Sequence, residues 1–180
     1  MTDRPTRVAI LGSTGSIGRS TLEVIAASQG QLEAVALSAH RKTKLLARQA
    51  RTFRPRRVVV TDLDAAKVQD WSSLPRQVEL LTGPEAVRTL VTDGDVDIVV
   101  SAIVGSAGLL GTWAALEAGK TVALANKESL VMGGPLVTQL SRAHQGQILP
   151  VDSEHSAVFQ ALGAGRRSEV RRVVLTASGG

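Results

Sequence analysis

Gly12-Ser13-Thr14-Gly15-Ser16-Ile17-Gly18 follows directly on the apolar run Val8-Ala9-Ile10-Leu11. Behind it, residues 20–27 carry Leu22, Val24 and Ile25 as the inward-facing positions of a helix. A second apolar run, residues 32–37, completes a strand-turn-helix-strand unit. Glycines at such a turn let the backbone approach a pyrophosphate, whose charge is then held by N–H groups at the helix N-terminus. The spacing is G-x-x-G-x-x-G rather than the usual G-x-G-x-x-G, with Ser13, Thr14 and Ser16 adding hydroxyls. A glycine triplet alone also suits a tight strand-to-helix connection. The flanking strands and the helix between them favour a dinucleotide site.

A length of 180 residues suits one domain, or one domain and the start of a second. Hydrophobic residues make up 43% and aromatic ones 2%, so the core has to be aliphatic. With no Tyr and two Trp there is little on which single-stranded bases would stack, and no nucleic-acid partner is expected. The net charge of +5 concentrates at Arg41-Lys42-Lys44, Arg54-Arg56-Arg57 and Arg166-Arg167-Arg171-Arg172. These clusters read either as solvated surface or as attraction for phosphorylated ligands. Zero Cys removes disulfides, thiolate metal sites and a cysteine nucleophile. Met1-Thr2-Asp3-Arg4-Pro5 has no apolar signal core behind it, and no apolar run is long enough to span a bilayer. A soluble, cytoplasmic protein without a membrane partner is the expectation.

Strands and helices alternate along the rest of the chain. Residues 43–53 read as an amphipathic helix ended by Arg54-Pro55, 57–61 as a β-branched strand, 62–75 as a short helix and loop, and 78–81 as a strand. Thr82-Gly83-Pro84-Glu85 offers a helix start. Residues 97–104 form a nearly continuous apolar strand, as in a sheet buried on both faces. A helix over 109–118 closed by Gly119, a strand over 120–125, a helix over 136–144 and a strand over 147–151 follow. The alternation predicts an α/β fold with a Rossmann-like, doubly wound parallel sheet. Ligands of such sheets lie beyond the carboxyl ends of the strands. The glycine turn, Ser38-Ala39-His40-Arg41, residues 102–108, Asn126-Lys127-Glu128 and Asp152-Ser153-Glu154 gather there.

The second strand ends Leu37-Ser38-Ala39-His40-Arg41-Lys42, with no carboxylate for a ribose 2′-hydroxyl and two fixed cations. Arg41 suits a 2′-phosphate, so NADP is favoured over NAD, the alternative being an exposed basic loop. In Asn126-Lys127-Glu128, Lys127 would bind a substrate oxygen or phosphate, and Asn126 and Glu128 would fix the cofactor. Glu128 alternatively serves only the first turn of the next helix. Asp152 and Glu154 stand two apart, which on an extended segment directs both to one hard cation, Mg2+ or Mn2+. Alternatively, Asp152 or Ser153 is a helix N-cap and Glu154 complements the dipole.

Gly12-Ser-Thr-Gly-Ser-Ile-Gly18, Ala102-Ile-Val-Gly105, Leu124-Ala-Asn-Lys-Glu-Ser-Leu130, Pro150-Val-Asp-Ser-Glu-His155 and Leu175-Thr-Ala-Ser-Gly-Gly180 come in this order along the chain. Over essentially its whole length the sequence thereby resembles the 1-deoxy-D-xylulose-5-phosphate reductoisomerase family. The resemblance implies rearrangement and NADPH-dependent reduction of that sugar phosphate to 2-C-methyl-D-erythritol 4-phosphate, with a divalent cation, in isoprenoid precursor synthesis. It implies that Thr14, Gly15, Ser16 and Ile17 line the pyrophosphate site and that His40, Arg41 and Lys42 form the adenosine-phosphate loop. The family often has Gly-Lys-Asn or Gly-Arg-Asn there, so His40 and Lys42 depart from the pattern while the basic character stays. Asn126 and Glu128 would contact the cofactor, and Lys127 the substrate. Asp152 and Glu154 would bind the metal, and Ser153, Glu154 and Ser178 would touch the substrate.

The resemblance also implies a domain division, with an NADPH-binding domain over 1–150 and the start of the catalytic domain over 151–180. It implies a homodimer at full length. By the same comparison the chain is expected to be an amino-terminal fragment, inactive alone, without the family's third metal carboxylate, Ser-Asn-Lys cluster, active-site His and mobile loop. A reading from another class is a non-catalytic NADP-sensing module, which leaves Lys127, Asp152 and Glu154 without a purpose. A further NADP-dependent dehydrogenase, such as a semialdehyde enzyme, is disfavoured by the missing Cys nucleophile.

Overall fold

The computed structural model describes residues 4–174. Its strands are β1 (Thr6–Leu11), β2 (Leu32–Ala39), β3 (Arg57–Val60), β4 (Glu79–Thr82), β5 (Ile98–Ser101), β6 (Thr121–Leu124) and β7 (Gln147–Pro150). The helices between and after them are α1 (Ser16–Ala27), α2 (Thr43–Phe53), α3 (Leu63–Val68), α4 (Ala86–Thr92), α5 (Ala107–Glu117), α6 (Glu128–Ala143) and α7 (Ser153–Gly163). One sheet holds all seven strands in the order β4-β3-β2-β1-β5-β6-β7. Every pairing is parallel, so the expected α/β, Rossmann-like doubly wound sheet is what forms.

Alternation along the central strands splits the core in two. Val8 and Ile10 of β1 join Leu22 and Ile25 of α1, Leu46 and Ala50 of α2 and Ala66 of α3 on one face. Ala9 and Leu11 join Val87, Leu90 and Val91 of α4, Ala114 to Leu116 of α5 and Val137 of α6 on the other. The central strands β1, β2 and β5 therefore bury both faces, which is why their sequences read as continuous apolar runs. The chain walks outward from β1 to β4, then returns to β5 on the other side of β1, so the crevice opens between the carboxyl ends of β1 and β5.

Several local expectations are corrected. Val24 is 59% exposed, because two positions from Leu22 is about half a turn, which puts it on the opposite face, whereas Leu22 and Ile25 are three apart and share a face. The helix expected from position 136 begins at Glu128 and bends at Gly133, whose dihedrals leave the helical region just ahead of Pro135. Gly-Gly-Pro marks a kink inside this helix, not its start. Of the two readings of Asp152-Ser153-Glu154, the helix start is the one that forms: α7 begins at Ser153 with Asp152 at the N-cap position, packs on β7 and has no fully buried residue. Among the described residues no helix is long and apolar enough to cross a membrane.

Candidate functional site

The turn after β1 is built by hydrogen bonds from distant segments. Gly12 has φ of +81°, and a Cβ there would stand 2.9 Å from the Ala102 carbonyl oxygen. The Ser38 hydroxyl at the end of β2 accepts from Gly12 N at 3.1 Å, and the Ser38 carbonyl accepts from Ser13 N at 2.9 Å. Ser13, wholly buried, donates its hydroxyl to Gln49 Oε1 at 2.8 Å, while Gln49 Nε2 returns a bond to the Ser13 carbonyl at 2.8 Å. Gly18 completes the fit, since a Cβ on it would lie 2.5 Å from Ser13 Cα. No side chain caps the first turn of α1, which leaves the N–H groups of a helix start available to an anion.

A cleft of about 560 Å3 lies over this turn, lined by Thr14, Gly15, His40 and Thr61 on one side and by Val87, Ile103, Val104 and Leu110 on the other. A largely apolar crevice with few polar groups, at the point where strand order reverses, is where this architecture binds a nucleotide. Thr14 and Gly15 line it, whereas Ser16 and Ile17 sit in the exposed first turn of α1. Its glycine cradle and uncapped helix start fit a dinucleotide pyrophosphate.

At the cleft's β2 end, His40 Nδ1 lies 3.0 Å from Thr61 Oγ1. Arg41 lines a neighbouring cavity of about 500 Å3 together with Lys44 and Asp62, and Lys42 lines neither space. Arg41 Nε donates to Asp62 Oδ2 at 2.6 Å. Asp62 is the N-cap of α3, and its Oδ1 accepts from Ala65 N at 2.9 Å. The Ala65 N–H and then the Arg41 guanidinium lower the Asp62 pKa to about 2. The carboxylate missing from the end of β2 is thus supplied by the end of β3.

Further along the same edge, Asn126 is buried and holds two loops together. Its Nδ2 donates to the Ile103 carbonyl and, at 2.9 Å, to that of Gly105, while Oδ1 accepts from Ser129 N at 3.1 Å. Both amide protons are thereby committed to backbone. Glu128 lies in the first turn of α6. Lys127 is exposed, with Nζ 3.6 Å from Asp152 Oδ2. Asp152 is the N-cap residue of α7 but makes no capping bond with its side chain, which adjoins the Glu154 carboxylate instead. Ser153 Oγ donates to Glu154 Oε2 at 2.6 Å, and this bond is the main cause of the lowered Glu154 pKa. The extended-segment argument for this pair is therefore corrected, because a helix start, not a strand, joins the two acids. Two hard oxygen ligands beside one another still fit Mg2+ or Mn2+, which commonly takes one or two carboxylates and fills its remaining positions with water and substrate. Among the described residues no group of three His, Cys, Asp or Glu side chains is placed to hold a metal. Ser178 lies outside the described residues.

The profile of the 1-deoxy-D-xylulose 5-phosphate reductoisomerase family matches residues 8–134, and that of its C-terminal domain matches residues 148–180. The chain belongs to this family. The reductoisomerase of Rhodococcus jostii is 53% identical over 179 residues, covering 99% of this chain and 43% of the relative. Among solved structures, the Zymomonas mobilis reductoisomerase in complex with NADPH is 42% identical with a TM-score of 0.79, covering 87% of this chain and 41% of that one. A reductoisomerase in complex with NADPH, fosmidomycin and magnesium is 40% identical with a TM-score of 0.80, covering 87% of this chain and 39% of that one. This chain therefore spans less than half the length of these reductoisomerases.

The reductoisomerase motifs occupy two stations on one sheet edge. The cleft at β1, β2 and β5 gathers Thr14, Gly15 and His40, with Arg41 just beyond it. The Lys127, Asp152 and Glu154 cluster follows β6 and β7, one and two strands past β5, and about 10 Å separates β5 from β7 at ordinary strand spacing. Sequence reasoning missed Gln49, Ser38 and Asp62. Gln49 falls among the polar positions of an amphipathic helix, and only its buried position in α2 identifies it as a loop clamp.

Proposed function

We propose that this chain is the NADPH-binding part of a 1-deoxy-D-xylulose 5-phosphate reductoisomerase, with residues 1–150 as the cofactor domain and 151–180 opening the metal- and substrate-binding domain. The observation that carries this reading is the juxtaposition on one sheet edge of a glycine-cradled cleft and a Lys127–Asp152–Glu154 cluster. The Thr14–Ile17 turn would seat the pyrophosphate, and the apolar wall of Ile103, Val104 and Leu110 would exclude water from the dinucleotide's flat rings. Bound NADPH supplies the hydride for the reduction of the rearranged aldehyde. Asp152 and Glu154 would hold a divalent cation, which supplies Lewis-acid polarisation of the substrate carbonyl. Lys127 would hold a substrate oxygen beside them, orienting the sugar phosphate toward the cleft. Family membership supports a homodimer, for which light scattering is the measurement.

Fluorescence titration tests the cofactor half. NADPH is expected to bind the chain at least about tenfold more tightly than NADH, the worth of a charge-assisted contact to the extra phosphate. Equal affinities would remove the NADP assignment. In a protein of the relatives' length containing this chain, NADPH oxidation is expected to require both the sugar phosphate and Mg2+ or Mn2+. Binding of NADPH with no oxidation under those conditions would favour a sensor instead.

A further inference from the structure

Asp62 follows β3, the strand next to β2, and there meets Arg41 of the loop that follows β2, in the cavity adjoining the cleft. A carboxylate in this region ordinarily reads a ribose hydroxyl and selects NAD. Here its oxygens are already engaged, Oδ1 by the Ala65 N–H and Oδ2 by Arg41 Nε, with His40 Nε2 3.6 Å from the same Oδ2. The Asp62 side chain is only 14% exposed, whereas that of Arg41 is 76% exposed. A fixed acid thus holds a long, solvent-facing cation by its inner nitrogen.

We propose that Asp62 is the positioning residue for NADP selectivity, holding Arg41 by Nε so that its two terminal amino groups face the adjoining cavity as a pair for the 2′-phosphate. A guanidinium has its donors in a rigid fork. Once Nε is taken, the edge that remains for a bidentate phosphate contact is the one formed by the two terminal nitrogens. Among the described residues no side chain accepts a hydrogen bond from those nitrogens. The cavity that Arg41 and Asp62 line also holds Lys44, a second cation. Holding Arg41 in place before the ligand arrives removes part of the ordering cost of binding. Asp62 is itself fixed by α3, so the selectivity of the β2 loop depends on the helix that follows β3. The inference rests on the NADPH reading above and adds to it a residue that the loop sequence does not contain.

The test is a double-mutant cycle in NADPH and NADH affinity. Asp62→Ser keeps a good N-cap for α3 but cannot reach Arg41, and Asp62→Asn keeps the shape and the cap but has a single oxygen, so with Oδ1 on the Ala65 N–H it turns an NH2, a donor, toward Arg41 Nε. Asp62→Ser is expected to weaken NADPH about tenfold and to leave NADH within about twofold, and Asp62→Asn to do the same with the cap of α3 intact, because neither offers Nε an acceptor. In an Arg41→Ala background, Asp62→Ser is expected to change NADPH affinity no further. An unchanged NADPH-to-NADH ratio in Asp62→Ser overturns the inference, as does tighter NADPH binding, which would make Asp62 a repulsive neighbour. An equal loss of NADPH affinity with and without Arg41 also overturns it, because Asp62 would then act independently of that residue. If the parent chain fails to prefer NADPH, the cofactor reading has failed before any variant is compared.

Discussion

At the scale of single residues, the glycine turn is held in part by side chains that lie outside the cleft. Gln49 is the clearest case. Its amide accepts the Ser13 hydroxyl and donates to the Ser13 carbonyl, both at 2.8 Å, inside a pocket that water does not reach. Removing it strands the buried Ser13 carbonyl, which costs about 1–3 kcal/mol when unsatisfied, and leaves the Ser13 hydroxyl only the Ser38 carbonyl at 3.2 Å. Gln49→Ala is therefore expected to lower the melting temperature by several degrees and to weaken NADPH and NADH alike, since the pyrophosphate turn is common to both. A titration in which only NADPH weakened would move Gln49 from the pyrophosphate turn to the 2′-phosphate region. Gly18 belongs to the same construction, because its missing Cβ is what lets α1 sit against Ser13. The glycine spacing is legible in the sequence, and so is the need for close approach. That Gln49 is the clamp is not, because its helical position between Arg48 and Ala50 has the same local pattern as a solvent-facing residue.

At the scale of elements, charge is arranged differently at the two ends of the sheet. The Arg54-Arg56-Arg57 cluster, a possible phosphate attractor by composition, enters β3 at the end away from the cleft, and Arg56 and Arg57 pair with Asp95 and Asp93. In the same network Arg7 donates through Nε to Asp97 Oδ2 at 3.2 Å, and its terminal nitrogens bond Asp95 and Asp97. Lys120 donates to the carbonyls of Asp93 and Val96 at 2.7 Å each, and burial lowers its pKa. These cations tie the loop before β5 to β1, β3 and β6 and are structural. The Arg7 side chain holds the Asp97 carboxyl well below the usual carboxylate range, against the opposing effect of burial. A carboxyl whose folded pKa is depressed stabilises the fold fully above its unfolded value, about 3.9. That contribution is lost as pH falls from there through the folded value. The melting-temperature gap between the parent chain and Asp97→Asn is thus expected to be widest near neutral pH and to close as pH drops below about 4. A gap that stays constant across that range would assign the stability to packing instead of charge.

At the scale of the whole molecule, the parallel sheet places five loop ends on one edge and thereby lines up a cofactor cleft with an acid–lysine cluster. Asp152 meets Lys127 only because β6 and β7 are neighbours in the sheet. If this cluster holds the cation, Asp152→Asn in a protein of the relatives' length is expected to raise the Mn2+ concentration for half-maximal NADPH oxidation by about tenfold or more. NADPH affinity itself should stay unchanged, and an unaltered Mn2+ titration would take Asp152 out of the metal site. The sequence by itself determined the alternation of strands and helices, the parallel sheet, the glycine turn and the family, because apolar periodicity, glycine spacing and ordered motifs are carried by residues close together in the chain. Only the tertiary structure decided what each polar side chain is for. Arg41 and Asp62 are 21 positions apart, Ser13 and Gln49 are 36 apart, and Arg7 and Asp97 are 90 apart. Local periodicity states that such a residue leaves the core; whether it then meets water or a partner depends on which distant strand the crossover lays beside it.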